Sequence, residues 1–174
     1  TEANKVNVSL SANLLDKSEF AKGLYTRAEL SEKISTLELY NPAELIAVAN
    51  QNWDNDWKAL KCTGLNILHV NQYRQMFNLV NLGRADVFPL TFSAKPDLER
   101  NVFGISLYPI KGIKISIDDS LHFAVSNRFD HSNELKYALN KGMKLLKENG
   151  QISGVYQHLG ITNKVVKNWK EIGC

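Results

Sequence analysis

The fold is decided by the stretch LIAVANQNWDNDWKALKCTGLNILHV, which runs from Leu45 to Val70. It opens with a short, continuous apolar run, Leu45–Ala49, which is typical of a strand covered on both faces. A polar segment follows, and after it Trp57 and Leu60 are spaced as on one face of a helix. Leu65–Val70 is a second apolar run. The stretch therefore predicts a strand, a helix and a second strand.

Capping signals mark the helices in and after this stretch. Asn52 or Asp54 can cap the first helix, and Gly64 can end it. Asn71 can cap a second helix, which Gly83 ends. These signals bound two helices of ordinary length between apolar runs.

The second helix and the segment after it extend the same alternation. An apolar stripe with helical spacing predicts core residues on this helix: Tyr73, Met76, Phe77 and Val80. Ala85–Thr91 then predicts a third strand, and Pro89 suggests an edge or a bulge in it. Strands that alternate with helices pair in parallel through right-handed crossovers. We therefore predict an α/β fold with a parallel-rich sheet flanked by helices.

The flanking segments are also patterned. Val6, Val8 and Leu10 alternate with polar residues as in a half-buried strand, and Ile113–Ile117 and Leu121–Ser126 predict further extended segments. A long amphipathic helix and a short one follow, separated by Gly150, with apolar faces formed by Leu135, Leu139, Gly142, Met143 and Leu146 and by Ile152, Val155, Tyr156 and Leu159. A last stripe predicts a helical tail: Val165, Trp169 and Ile172.

Composition excludes several classes of function. The 174 residues are 44% hydrophobic and 22% charged, which is typical of a globular chain rather than a disordered one. The net charge of +3 is spread along the chain, so nucleic-acid binding is not expected. The longest apolar run, Leu45–Ala49, is far shorter than a membrane span. Cys62 and Cys174 lack zinc-site spacing, and the sequence leaves open whether they form a disulfide.

Three stretches carry a resemblance to a known family. Besides the opening stretch, they are NQYRQMFNLVNLGRADVFPLTF (residues 71–92) and LHFAVSNRFDHSNELKYALNKGMKLLKENGQISGVYQHLG (residues 121–160). In order and pattern they resemble the second lobe of extracellular solute-binding proteins of the amino-acid-transport type, which have the type II periplasmic-binding-protein fold. The resemblance implies that residues 1–42 are a crossover or hinge region from a largely absent first lobe. Residues 43–160 would form the solute-binding-like lobe, and residues 161–174 a C-terminal helical tail.

The binding residues predicted from this sequence lie where strands end. Gln51, Asn52 and Trp53 join a strand to a helix N-terminus, and Thr91 and Phe92 end a neighbouring strand. An alternative interpretation is that Trp53 anchors the core and Asn52 only caps the helix. The ligand loop of the family usually contains Gly-Thr, and its amine-binding carboxylate would fall near Thr91 here, so this sequence departs from the family at both positions.

The resemblance implies non-catalytic binding of a small polar solute, amino-acid-like or another small metabolite, in an interlobe cleft. Such a protein would be periplasmic, would carry a signal peptide that is absent from this chain, and would serve a membrane transporter or a sensor protein. A module with a vestigial cleft is one alternative, and an enzyme on the same scaffold is another. We predict no cofactor, no metal and no catalytic residue, since no nucleophile or carboxylate has a recognisable relation to the histidines. Without its first lobe, the chain is predicted to form a homodimer or to bind its solute weakly.

Overall fold

The computed structural model describes residues 7–15, 19–34, 40–117 and 120–173. Its helices are α1 (Ala28–Lys33), α2 (Asp54–Lys61), α3 (Tyr73–Asn81), α4 (Ser132–Glu148) and α5 (Gln151–Leu159). Its strands are β1 (Val8–Leu15), β2 (Ala21–Thr26), β3 (Ile46–Ala49), β4 (Asn66–His69), β5 (Phe88–Thr91), β6 (Arg100–Val102), β7 (Ile105–Pro109), β8 (Ile113–Ser116), β9 (Leu121–Ser126) and β10 (Lys170–Ile172). Two 3-10 turns, Pro42–Glu44 and Lys164–Val166, complete the list.

The parallel part of the fold is the part predicted from the opening stretch. β3 pairs in parallel with β4, from Ile46 opposite Asn66 to Ala49 opposite His69. On its other side β3 forms a parallel bridge between Ala47 and Val87, the residue before β5. The three predicted strands and the two helices between them are therefore confirmed, with strands shorter than the apolar runs.

The rest of the sheet is more antiparallel than the alternation of elements suggested. β2 pairs in an antiparallel manner with β5, β7 and β8, and β6 extends the sheet beyond β7. The Ala47–Val87 bridge and β5 therefore join the parallel β3–β4 pair to this sheet. Within residues 93–117, β6 and β7 form a hairpin and β8 pairs with β2. The apolar pattern of the sequence does not distinguish such antiparallel strands from parallel ones.

Core clusters lie on both faces of β3, as expected for an apolar run that is covered on two sides. Val48 belongs to a cluster with Met76, Phe77 and Val80 of α3. Its neighbour Ala47 belongs to a second cluster, which contains Leu60 of α2 and residues of β8. Adjacent residues of β3 thus face opposite clusters, since side chains alternate along a strand.

β1 and β9 form a separate two-stranded antiparallel ribbon, on which α4 packs. We predicted that the apolar faces of α4 and α5 are buried against the lobe, and for much of both faces this is wrong. Met143 is buried, but Leu135 and Leu146 on the same face are exposed, and Val155 and Leu159 of α5 are each more than half exposed. Among the described residues, α4 packs mainly on the two-stranded ribbon and on α5, which leaves part of both apolar faces uncovered. Val6, predicted as part of β1, lies outside the described residues.

The predicted helical tail is also wrong. Asn163 Oδ1 accepts a hydrogen bond from the Val165 amide at 2.9 Å, which starts a single 3-10 turn. The chain then becomes β10, which adds in parallel to the edge of β8. The apolar stripe is divided, because Trp169 packs against one core cluster and Ile172 against the other. The open edge of β8 thus makes residues 170–172 a strand. The helical spacing of the apolar residues does not reveal that edge.

Gly160, the C-cap of α5, joins this helix to the end of β5. Its φ is +77°, and an added Cβ would lie 2.5 Å from the Ser93 carbonyl carbon and 2.6 Å from the Phe92 carbonyl oxygen. Gly150 has the same φ, but the nearest atom to an added Cβ is Ser153 Oγ at 3.9 Å. The two glycines are therefore a matched pair that differs in packing.

We expect Gly160→Ala to lower the free energy of unfolding more than Gly150→Ala. Both variants bear the cost of a left-handed alanine, about 1–2 kcal/mol. Only Gly160→Ala also forces backbone atoms apart, which adds about 1–3 kcal/mol. Urea unfolding followed by circular dichroism measures the difference. Equal losses for the two variants would show that α5 does not dock at the end of β5.

Candidate functional site

The carboxyl ends of β3 and β4 and the end of β5 meet beside the N-termini of α2 and α3. A cavity of about 350 Å³ lies there. It is lined by Lys22, Trp53, Asp56, Tyr73, Phe88, Pro89, Leu90 and Thr91. Two other cavities, of about 370 and 630 Å³, lie next to the C-terminal turn and next to α1. We take the first as the candidate site because ligands of open α/β sheets bind at the carboxyl ends of the strands.

The loop after β3 is held in place by side chains behind it. Asn50 is buried, and its Oδ1 accepts a hydrogen bond from the Asn52 amide at 2.9 Å. The Gln51 amide donates to His69 Nδ1 at 3.1 Å. His69, the last residue of β4, therefore helps to hold this loop in place. These bonds fix the position of Trp53, the N-cap residue of α2.

An ion pair crosses the polar side of the cavity. Lys22 Nζ lies 2.5 Å from Asp56 Oδ1, and the two side chains are only 14% and 17% exposed. Asp56 lies in the first turn of α2, where a carboxylate is favourable because the helix dipole is positive there. Lys22 lies opposite Thr91 in the β2–β5 ladder. The pair thus connects α2 to the strand that ends at the cavity.

Thr91 is supported from outside the cavity by Arg100. The guanidinium donates from Nη2 to Thr91 Oγ1 at 2.7 Å and from Nε to the Thr91 carbonyl at 2.8 Å. Nearby, the buried Tyr25 hydroxyl donates to the Leu98 carbonyl at 3.0 Å and accepts from the Ser93 amide. Burial raises the pKa of Tyr25 to about 12, so its phenol stays protonated at neutral pH. Through its bonds to Thr91, the Arg100 guanidinium also places a positive charge beside the end of β5.

Aromatic rings form the other side of the cavity. Trp53 and Tyr73 are 36% and 42% exposed, and their ring centroids lie 6.2 Å apart. Burial raises the pKa of Tyr73, partly opposed by the charge of Arg100, so its hydroxyl remains a neutral donor. We predicted Tyr73 to be a core residue like Met76 and Phe77, which is wrong. Its position in the first turn of α3 places it at the end of the sheet, where the cavity opens.

The predicted binding residues are only partly brought together. Trp53 and Thr91 line the cavity. Gln51 and Asn52 are exposed beside it, and Asn52 is not the helix cap that the alternative interpretation required. Phe92 is 1% exposed and packs edge-on against Trp169, with ring centroids 5.5 Å apart. The assignment of all five residues to a ligand site stays a prediction.

Sequence reasoning missed Lys22, Asp56, Tyr73 and Arg100. Asp56 had a usable signal, because it lies in the first turn of a helix that follows a predicted ligand loop. Lys22 had no such signal, since its partner Asp56 is 34 residues away and only sheet pairing brings them together.

Two further observations concern other kinds of site. The described part of the chain contains no group of three or more His, Cys, Asp or Glu side chains that could hold a metal ion. Among the helices of residues 7–15, 19–34, 40–117 and 120–173, none has the length and apolar character needed to cross a membrane.

Comparison with known proteins identifies the fold. No protein-family model matches the sequence, and no curated protein matches it. Among solved structures, the second substrate-binding domain of an amino-acid ABC transporter from Streptococcus pneumoniae aligns over 91% of this chain and 68% of its own, with 17% identity and a TM-score of 0.59. The substrate-binding domain 2 of Lactococcus lactis GlnP aligns over 91% of this chain and 65% of its own, with 16% identity and a TM-score of 0.58.

A third structure is an ancestral amino-acid-binding protein described as a precursor of cyclohexadienyl dehydratase. It aligns over 98% of this chain and 64% of its own, with 17% identity and a TM-score of 0.52. The chain thus spans about two thirds of the length of these structures. The resemblance seen in the sequence is confirmed at the level of fold, which is that of type II periplasmic-binding-protein lobes.

The Lys22–Asp56 pair gives a prediction about stability. Asp56→Asn leaves the Lys22 ammonium largely buried without its carboxylate, and we expect a loss of about 1–3 kcal/mol in the free energy of unfolding. Asp54→Asn is the matched control, since Asp54 lies in the same first turn but is exposed. It should change stability by less than about 0.5 kcal/mol. Chemical denaturation measures both, and equal effects would contradict a structural role for the pair.

Proposed function

We propose that this chain binds a small polar solute, amino-acid-like or another small metabolite, in the cavity at the strand ends, without transforming it. The observation that carries the proposal is the cavity itself, which combines exposed rings with a partly buried ion pair and a fixed threonine hydroxyl. Such cavities, largely apolar with a few placed polar groups, are typical of small-molecule sites. The amino-acid-binding descriptions of the structural neighbours support the same class of ligand.

A vestigial cleft and an enzymatic site are the two alternatives to solute binding. A vestigial cleft would be expected to fill with side chains, whereas this one retains about 350 Å³ beside exposed rings. An enzyme on the same scaffold is a real alternative, because one structural neighbour is described as the precursor of a dehydratase. In this cavity, however, the one described carboxylate, Asp56, is bound to Lys22 rather than placed beside a nucleophile. Binding without turnover is therefore the function that the geometry favours.

The cellular role follows from the same comparison. The neighbour from Streptococcus pneumoniae is described as a substrate-binding domain of an amino-acid ABC transporter. We propose that the chain delivers its solute to a membrane transporter or reports it to a sensor protein. The proposed location is the periplasm or the cell exterior, reached by a signal peptide outside this sequence.

Cys62 is not a free thiol, but Cys174 lies outside the described residues, so the pairing of Cys62 with Cys174 stays open.

The ribbon of β1 and β9, with α4 and α5, would meet a further lobe. Leu10, Phe123, Leu145 and Val155 are each at least 44% exposed on these elements. Soluble proteins rarely leave such an apolar surface bare. About one third of the length of each structural neighbour lies outside the region aligned with this chain, which suggests an additional lobe as the occupant. The ribbon is then the hinge that joins the two lobes, and its strand β1 lies within residues 1–42, for which the resemblance implies a crossover or hinge region.

Solute binding is tested with a panel of amino acids and small polar metabolites, by thermal shift and then calorimetry. Replacing Asn52 and Thr91 together by alanine should weaken binding of any solute found by at least ~1 kcal/mol, the scale of a lost hydrogen bond. The control is Asn78→Ala with Thr162→Ala, the same residue types away from the cavity. Unchanged affinity in a folded Asn52/Thr91 variant would place the site elsewhere. Turnover of the bound solute would favour the enzyme.

Self-association tests the apolar face. With the face uncovered, the chain alone should form dimers that light scattering or sedimentation detects. Leu145→Glu should weaken them roughly tenfold or more, because a charge would enter an apolar contact. Leu82→Glu is the control, since Leu82 is 64% exposed and Leu145 62%, but Leu82 lies beyond α3. A monodisperse monomer that binds its solute tightly would contradict the need for a further lobe.

A further inference from the structure

We propose that the cavity of about 370 Å³ beside the C-terminal turn is a second binding site, which takes a small doubly charged oxyanion of the phosphate class. Among the described residues that line it are three lysines, Lys114, Lys164 and Lys167, and one carboxylate, Glu19, so positive charge is in excess by two. This cavity shares no lining residue with the cavity at the strand ends, and the inference is therefore independent of the proposed function.

Lys114 is the first reason, because its charge is largely buried and weakly compensated. Its side chain is only 12% exposed. The ammonium group donates to the Lys167 carbonyl at 2.9 Å and to the Val166 carbonyl at 3.3 Å, and both of these acceptors are uncharged. Among the described residues, its paired carboxylate is that of Glu171, which lies 3.7 Å away and is 59% exposed. A cation removed from water favours a close opposite charge, and the cavity beside Lys114 has room for one.

Lys164 and Lys167 bring two more charges to the same cavity. Lys164 begins the 3-10 turn, and Lys167, with φ −54° and ψ −45°, continues its helical conformation. In a 3-10 turn, side chains three residues apart lie one above the other. The two lysines are therefore on one face of the turn, where like charges destabilise each other. Neither forms an ion pair with a residue that the structure describes, so a shared anion would remove this repulsion.

The turn that carries these two lysines is fixed by the fold. Asn163 donates from Nδ2 to the Ser93 carbonyl at 3.0 Å, and its Oδ1 accepts from the Val165 amide at 2.9 Å. After the turn, β10 pairs with β8, the strand that carries Lys114. Lysines on a fixed backbone lose less conformational freedom on binding than lysines on a mobile segment. The three charges are thus brought together before a ligand arrives.

The groups in the lining indicate the class of ligand. Lysine binds phosphate as a compact point charge with three donors. The Thr162 hydroxyl and the Gln157 amide line the same cavity and can donate further hydrogen bonds. A doubly charged anion balances the excess of two positive charges, whereas a single carboxylate balances only one of them. About 370 Å³ also leaves room for a small group attached to the phosphate.

The experiment measures the binding of inorganic phosphate and of glycerol phosphate to the folded chain by calorimetry. Mildly basic pH keeps both probes mainly doubly charged, and constant ionic strength is needed because salt screens charge pairs. Both should bind at least roughly tenfold more tightly than acetate, which carries one charge. Equal or tighter binding of inorganic phosphate assigns the free anion, and tighter binding of glycerol phosphate assigns a monoester.

Lysine variants locate the site. Lys164→Gln together with Lys167→Gln should weaken the binding of both phosphate probes at least roughly tenfold, because charged hydrogen bonds are lost. Lys58→Gln together with Lys144→Gln is the matched control, since it removes the same charge at two exposed lysines outside the cavity. The control should leave both affinities unchanged. Circular dichroism verifies that each variant is folded.

Lys114→Met distinguishes an anion site from a purely structural lysine. A ligand that binds the folded chain raises its stability, so saturating glycerol phosphate should raise the midpoint of urea unfolding for the parent chain. The variant should lose most of this phosphate-dependent shift, whatever its stability without phosphate. A lysine that only holds the C-terminal turn would leave the shift unchanged, and that result would contradict its role in the site.

Three further results would overturn the inference. Acetate that binds as tightly as the phosphate probes would exclude selection of a doubly charged ligand. Phosphate binding that survives in the Lys164/Lys167 variant would place the anion elsewhere on the chain. No binding of either phosphate probe to the parent chain would remove the site altogether. None of these results bears on solute binding at the strand ends, because the substituted lysines lie outside that cavity.

Discussion

The parallel pairing of β3 with β4 and with Val87 is the constraint on which the rest of the structure depends. It is a backbone interaction that buries both faces of β3, with Val48 facing α3 and Ala47 facing the cluster around α2. Parallel strands must all end at the same edge of the sheet, so the loops after β3 and β4 lie beside each other. The first turns of α2 and α3 therefore meet there. The cavity is a consequence of this arrangement, because helices that start at the sheet edge leave space between their first turns.

The polar interactions at the cavity depend on a second feature, the antiparallel alignment of β2 with β5. It sets Lys22 opposite Thr91 and within reach of Asp56. Largely removed from water, the two charges stabilise each other more than a surface pair would. The same pair is then both a link between α2 and the sheet and a pair of opposite charges in a cavity. Removing either partner affects the fold as well as any ligand, which is why matched controls in the same helix turn are informative.

The sequence predicted what depends on local periodicity. The strands β3, β4, β5 and β9 and the helices α2 to α5 were recoverable, since their apolar residues repeat within a few positions. The site was recoverable only through the rule that ligands bind at strand ends, which led to Trp53 and Thr91. Lys22 and Arg100 reach the site through sheet pairing and a hairpin, neither of which leaves a periodic signal. The tail was misread for a similar reason, since Trp169 and Ile172 pack against opposite clusters across a strand edge that the spacing does not encode.

The β3–β4 layer and the β1–β9 ribbon differ in how they are stabilised. The β3–β4 layer has helices and core on both faces, whereas the β1–β9 ribbon has α4 as its main cover. A two-stranded ribbon is marginal in water unless something packs on it. Here α4 packs on both strands, and α5 adds the bond from the Tyr156 hydroxyl to the Leu14 carbonyl at 3.0 Å. Fewer elements therefore pack on the ribbon than on the β3–β4 layer. For the proposed arrangement of two lobes, such a lightly covered connection is where a hinge would lie, because a hinge must change conformation without disrupting a core.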